Sequence, residues 1–536
     1  SRTAPAPRGP EGRARQRPAM GRRAPRLLCG GLWAAWRAAA APPLEELRWQ
    51  TDFSGPAFTS PSINYTTVVD PGTTWGVWDG WGVSLCWWAN VFGQDDALAD
   101  LVFTRKAVVI NGQRLPGLGM NIARYNLGAS GWRSVNGTTA QYSKRMPGFK
   151  KIEAFWQDWA SHDPASASWN WSADANQVAM LKKASERGAN FLELFSNSPV
   201  WWMCKNHNPA GADDPLRDNL QSWNFGNHTR YLATVARYAK DHWGLEFSSV
   251  EPFNEPEAPW WSPLRPASIQ EGCHFARKTQ PAIIHLLRKE LDRRGLGGTA
   301  VAASDESYYD WATKTWESFG NRTRAQVARV NVHGYQYGKG RRDELYRKVR
   351  GAAGAQALWN SEYGDGDGSG LALATNLNLD FRWLHPTAWA YWQVLDVTPG
   401  WGLLRAKLNA EPPSLGPVSA KLFVLAQYTR HIRPGMTILD GGEANTVAAY
   451  DPSARRLVLV TTNYGNAQWV TYDLSRFARA AGPARCWATG TGAGGERYAR
   501  RADVQLSGRS LSAHFPPNTV QTFEVEGVDA APAVYV

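Results

Sequence analysis

The sequence predicts an α/β fold, a (β/α)8 TIM barrel with an appended antiparallel β-sandwich. Between about residues 75 and 393, short apolar, β-favouring runs alternate with longer helical patterns, giving eight strand candidates. No Gly-rich strand–turn–helix fingerprint of a nucleotide-binding open sheet occurs in that stretch. After residue 433 the pattern changes to short alternating runs split by Gly, Pro, Asn and Asp, the mark of an antiparallel β-domain. The chain then divides into an upstream segment with a secretory signal (1–41), N-terminal strands joining the β-domain (42–74), the barrel (75–432), the sandwich (433–528) and a tail (529–536).

The expected barrel strands are Trp75–Leu85, Leu118–Leu127, Ala189–Pro199, Leu245–Pro256, Thr299–Ser307, Ala328–Gly338, Gln356–Gly364 and Pro386–Gln393. The clearest helices are Ala173–Arg187, Thr229–His242, Phe275–Arg294, Arg342–Ala353 and Leu371–Leu384. The first repeats apolar residues at Val178, Met180, Leu181 and Ala184, with Ser172 as N-cap and Gly188 as stop. In the β-domain, Thr446–Tyr450, Leu457–Asn463, Gln468–Leu474, Val504–Leu506 and Thr519–Val525 read as strands. Arg48–Val69 is also strand-like and is expected to pair with them.

Composition narrows the class. With 536 residues, 43% hydrophobic and 20% charged, the chain buries a sizeable core and is neither disordered nor fibrous. No apolar run is long enough for a membrane-spanning helix. The formal charge of +12 suggests nucleic acid, but residues 1–41 hold nine Arg and one Glu, so only +4 remains for the body. That segment reads instead as a signal: Arg22, Arg23 and Arg26 follow Met20, then the apolar Leu27–Trp36 and the small Ala38–Ala41. Glycosylation sequons at Asn64, Asn136, Asn170, Asn227 and Asn321 agree with a secreted, extracellular glycoprotein. Four cysteines remain after the signal, Cys86, Cys204, Cys273 and Cys486, and Cys204–Cys273 is the first disulfide to try. Cys204, His207, Cys273 and His274 lack the regular spacing of a zinc site.

Strand four ends Val250-Glu-Pro-Phe-Asn254-Glu255-Pro256 and strand seven ends Trp359-Asn-Ser-Glu362-Tyr-Gly364. Each places a carboxylate at the C-terminal rim of a barrel, where functional residues converge. Two facing carboxylates suit a glycosidic bond, one protonating the leaving oxygen while the other meets the developing oxocarbenium charge. The 28 Trp, 18 Tyr and 18 Phe supply flat apolar faces for sugar rings.

Gly80-Trp-Gly-Val-Ser-Leu-Cys-Trp87-Trp88-Ala-Asn90, Arg124-Tyr-Asn-Leu-Gly128, Asn197-Ser-Pro-Val-Trp201-Trp-Met203, Asn254-Glu-Pro and Trp359-Asn-Ser-Glu-Tyr-Gly364 resemble glycoside hydrolase family 30, most of all its endo-β-1,6-galactanase branch. The resemblance spans roughly residues 50–528. It implies a retaining double displacement with Glu255 as acid/base and Glu362 as nucleophile. It further implies that Asn254 binds the hydroxyl at C2, that Tyr335 orients Glu362, that His333 beside it on strand six is a further substrate-binding residue, and that Arg124 keeps Glu362 ionised. Trp392 would form an aromatic floor, and Trp87, Trp88 and Trp201 are further candidate substrate platforms. In glucosylceramide-cleaving relatives an Asp stands where this chain has Trp87, which argues against that specificity.

The expectation is therefore a secreted hydrolase of β-1,6-linked galactan, acting as a monomer on an oligo- or polysaccharide, with no metal, organic cofactor or nucleic acid. The competing readings are another family-30 activity (β-1,6-glucanase, exo-β-galactosidase or glucosylceramidase-like) and a non-catalytic carbohydrate-binding protein.

Overall fold

A computed structural model describes residues 64–264, 269–351 and 356–530. The expected signal and residues 48–63 of the expected N-terminal strand lie outside these. Eight parallel strands close a barrel in sequence order: Gly80–Ser84, Ile122–Asn126, Phe191–Phe195, Ser249–Glu251, Ala300–Glu306, Arg329–His333, Ala357–Tyr363 and Ala388–Tyr391. They are buried on both faces, so their apolar runs are continuous rather than alternating. The stretch expected as one strand, Trp75–Leu85, is two. Asp70–Val77 pairs antiparallel with Thr437–Asp440, and the barrel strand begins at Gly80 after the break at Trp78-Asp79.

The barrel helices include Ala175–Glu186, Phe225–Tyr238, Gln280–Arg293, Tyr309–Ser318, Arg342–Arg350 and Leu371–Leu379. The first starts later than Ser172 suggests, because Asp174 takes the cap position in a left-handed conformation. Its carboxylate is drawn to Tyr125 Oη and Gln177 Nε2, both at 2.5 Å, rather than to the helix N–H groups.

Inside the barrel the core is polar at one level. Glu193 accepts from Arg124 Nε at 2.9 Å, Ser249 Oγ at 2.8 Å, Asn331 Nδ2 at 3.0 Å and Arg329 Nη2. Burial opposes its charge, yet Arg329 and Arg124 hold its carboxyl below the usual range. Two cations and one anion are thus locked under the barrel mouth, and removing any partner would strand a buried charge.

The β-domain pairs a seven-stranded sheet with a three-stranded one. Asn64–Val68 joins Gln468–Asp473 in the smaller sheet, so the early strands do meet the late ones. Three strands escape the sequence reading, Thr437–Asp440, Ala484–Gly490 and Ser510–Phe515, and Val504 closes Ala499–Val504 rather than opening a strand. Arg456–Asn463 is buried along nearly its whole length because both of its faces are covered. Leu457 and Leu459 enter the sandwich core, while Val458 and Val460 enter the barrel-side core. The four described cysteines are buried free thiols, so the expected Cys204–Cys273 bridge is not formed. Burial and the neighbouring Cys273 push the Cys204 thiol well up, which keeps it protonated.

Candidate active site

Glu255 lies four residues past strand four, in left-handed backbone with φ 48°. A non-Gly residue there costs about 1–3 kcal/mol, so its surroundings must hold it. Its N–H donates to Asp305 O at 2.8 Å and its carbonyl accepts from Trp261 Nε1 at 2.8 Å. Glu362 is the penultimate residue of strand seven. The register against strand six shifts at Val332/His333, and against strand eight between Asn360 and Tyr363. Such irregularities at a barrel rim re-aim side chains.

The two glutamates meet. One carboxylate oxygen from each, together with a ring nitrogen of His333, lies within 4.8 Å of the others. Tyr335 Oη donates to Glu362 Oε1 at 2.8 Å, and Arg124 Nη1 donates to Glu362 Oε2 at 3.2 Å. Trp260 Nε1 donates to Glu255 Oε2 at 3.0 Å. His333 Nδ1 stands 3.2 Å from Glu255 and 3.6 Å from Glu362, with Nε2 3.1 Å from Asp305 in an ion-pair contact off the ideal hydrogen-bond line. Asp305 also accepts from Arg124 Nη2 and Ser361 Oγ, both at 2.5 Å.

These contacts set the charges. Burial disfavours the His333 imidazolium, but Glu362 and Asp305 hold its pKa well above the ordinary value. Burial likewise opposes the Asp305 anion, and Arg124 and His333 hold that carboxyl far below its usual range. Burial pushes Glu362 up to about 7 against the pull of His333 and Arg124, with the Glu255 charge adding to the rise. The Glu362 carboxyl therefore holds its proton until near neutral pH. Among the described residues, Glu255, His333 and Glu362 are the group with metal-ligand geometry. A protonated His333 has no lone pair to offer, so these residues suit proton chemistry better than a cation.

Both glutamates open into a hollow of about 880 Å3, within the range of ligand sites. Trp392 and Trp87 meet there edge to face, their centroids 5.0 Å apart at 84°. Lys150 Nζ sits 3.8 Å over the Trp87 ring, and burial draws its ammonium down to about 8. Asn254 Oδ1 and Trp87 Nε1 are buried with no hydrogen-bond partner among the described residues. Buried polar atoms left unpaired beside a hollow are what hydroxyl groups of a ligand would satisfy.

Of the expected residues, Asn254, Trp392, Trp87 and Tyr335 line the hollow, and Arg124 braces Glu362 from below. His333, fully buried, sits beneath the glutamates and is not among the residues that line it. Trp88 and Trp201 are core residues: Trp88 Nε1 donates to Ser84 O at 2.9 Å, and the Trp201 indole packs on Gly131, where a Cβ would come within 2.5 Å of its Nε1. Both are 1% exposed or less and neither lines the hollow. The sequence reading missed Lys150, Asp396 and Trp401 on the walls and Asp305 and Trp260 behind the glutamates. Trp401 follows Pro399-Gly400, a turn signal that marks a loop but not its destination.

The profile of O-glycosyl hydrolase family 30 matches residues 62–330. An endo-β-1,6-galactanase of Hypocrea rufa is 51% identical over 467 residues, covering 86% of this chain and 95% of that protein. Among solved structures, a conserved exported protein from Bacteroides fragilis superposes with TM-score 0.70 at 17% identity, covering 86% of this chain and 100% of its own. The catalytic domain of a family-30 xylanase C from Talaromyces cellulolyticus gives 0.61 at 18%, covering 86% and 100%. These two share the fold. With paired glutamates at the mouth of the barrel and a relative matched along nearly its full length, the chain belongs to glycoside hydrolase family 30 and is a glycosidase.

Proposed function

We propose that the protein is a retaining endo-hydrolase of β-1,6-linked galactan, such as the side chains of arabinogalactan. The observation that carries the mechanism is the approach of one carboxylate oxygen of Glu255 to one of Glu362 within 4.8 Å. Retaining enzymes place these groups about 5–5.5 Å apart, whereas inverting ones leave about 6.5–9.5 Å for a water. The substrate class is supported by the name of the Hypocrea rufa relative at 51% identity.

Attack needs the anion on Glu362, where Arg124 Nη1 at 3.2 Å and Tyr335 Oη at 2.8 Å stabilise it. Glu362 attacks the anomeric carbon while Glu255 protonates the leaving oxygen, and a glycosyl ester forms. Esterification removes the Glu362 charge. Glu255 then serves as base for water. Asn254 Oδ1 accepts from the C2 hydroxyl, and Trp392 packs against the apolar C–H face of the ring.

Secretion is part of the same proposal. Of the five sequon asparagines, Asn64, Asn136 and Asn321 are exposed and Asn170 and Asn227 are partly so, which supports glycan attachment. The test is a product profile on β-1,6-galactan and β-1,6-glucan, read by mass spectrometry. Internal cleavage of galactan alone is expected. Preferential cleavage of glucan, or release of single sugars from chain ends, would contradict the reading.

A further inference from the structure

A second hollow of about 530 Å3 adjoins the catalytic one. We propose that it is a second glycan-binding site, which holds the leaving part of the galactan chain beyond the residue next to the cleaved bond. The proposal rests on the galactan reading and deepens it.

Continuity is the first argument. Arg145 borders both hollows. The loop after strand two contributes Phe149 and Lys150 to the first and Gln141 and Tyr142 to the second. The loop after strand four contributes Gln270 to the first and Pro263 to the second. The same two walls therefore enclose one groove.

Direction is the second. Trp260 and Trp261 donate their indole N–H groups to Glu255 at 3.0 and 2.8 Å, and the chain then runs directly to Ser262 and Pro263 at the second hollow. Glu255 protonates the leaving oxygen, so the side of the groove built from its own loop receives the leaving chain. The opposite wall, with Trp87, Trp392 and Asp396, belongs to the sugar that Glu362 attacks.

Chemistry is the third. The lining combines the amides of Gln141 and Asn208 and the ring of Tyr142 with Ser143, Lys144, Arg145 and Asp213, hydrogen-bonding groups that a polyhydroxylated chain satisfies. The Asn206 amide is engaged with Gly211, Asp213, Asn208 and Asn219 and shapes the wall. The walls are fixed before any ligand arrives. Gln141 N–H donates to His207 O at 2.8 Å, Tyr142 Oη donates to Gly131 O at 2.7 Å, and Asn206 Nδ2 donates to Gly211 O at 2.9 Å. Gly211 has φ 112°, and a Cβ there would meet Trp261 O at 2.2 Å, so floor and wall are in direct contact. A preformed site binds without an ordering cost. A 1,6-linkage has one more rotatable bond than linkages to ring carbons, which lets the chain follow a groove that bends.

The test uses β-1,6-galacto-oligosaccharides from dimer to hexamer, labelled at the reducing end, with the full chain and two variants at exposed rim positions. Gln141→Trp fills the hollow, and Lys144→Ala removes a rim cation. For the wild-type protein, kcat/KM rises with each added sugar on the leaving side. For Gln141→Trp this rise is lost, about tenfold on the hexamer, and cleavage shifts toward the reducing end. Lys144→Ala keeps the rise, since the ligand is uncharged. A rise of equal size in wild type and Gln141→Trp, or a loss shared equally by all lengths, overturns the proposal. No cleavage of any galacto-oligosaccharide by the wild-type protein overturns the galactan reading itself, and the site assignment with it.

Discussion

Replacing Tyr335 by Phe isolates one hydrogen bond at the reacting centre. The hydroxyl donates to Glu362 Oε1 at 2.8 Å, and the side chain is 8% exposed, so Phe fills nearly the same space. A hydrogen bond to a charged group contributes about 1.5–3 kcal/mol. If the bond serves the ionised nucleophile and its attack, its loss lowers kcat about 10- to 150-fold. The sign of the pH effect follows. Without the donor the Glu362 anion is less stable, the carboxyl holds its proton to higher pH, and the acid limb of the rate profile moves up by about 1–2 pH units. The assay is initial rates on galacto-oligosaccharides between pH 3 and 9, with thermal unfolding as a check that the fold survives. A kcat within twofold of wild type together with an unmoved acid limb would refute the assignment of Tyr335 to the nucleophile.

Three further outcomes are expected. Burial raises Glu362 to about 7, so the nucleophile ionises and kcat/KM rises as pH climbs through neutrality; a profile flat from pH 5 to 8 would contradict this. Glu255→Ala acting on an aryl glycoside with a good leaving group should regain turnover with azide and yield a glycosyl azide of β configuration, because the enzyme then lacks only its base. Stability should fall from pH 5 to pH 8. Burial raises Glu271 to about 8 and Asp174 and Glu306 to about 7, so between the unfolded carboxyl range and these values the native state binds more protons than the unfolded one. The raised groups favour the fold fully below about pH 4, and this advantage is lost as pH rises, on the order of 5 kcal/mol for Glu271 alone. Thermal melts at matched ionic strength check it, and a midpoint that climbs toward pH 8 would refute it.

The barrel was legible because each of its strands is an apolar run between helical patterns, and the order of such runs leaves few topologies. Glu255 and Glu362 were legible for the same reason: a strand end followed by Pro256 or Gly364 is visible in sequence, and strand ends converge. What escaped depends on long loops. Lys150 arrives after an excursion of more than twenty residues from strand two; Asp396 belongs to a small sheet, Leu395–Asp396, Leu404–Lys407 and Ser414–Val418, inserted after strand eight, and Trp401 to the turn between its first two strands. No local period reports where such loops return. His333 was found but counted among the substrate-binding residues, since sequence places it on a strand end without showing that Asp305 lies behind it. Trp88 and Trp201 were misplaced because an indole beside a motif is as ready to fill a core as to face a ligand. The sandwich strands Ala484–Gly490 and Ser510–Phe515 carry Arg, Cys, Ser and His among their apolar positions, which blurs the alternation that would reveal them.

The most direct test of the two-glutamate account is the configuration of the sugar at the moment of release. Proton NMR during the first minutes of hydrolysis, before the reducing ends mutarotate, reports the new anomeric centre. The account requires the β anomer to appear first and the α anomer to grow in later. Initial release of the α anomer would mean a single inverting displacement, and the closeness of Glu255 and Glu362 would then have another cause.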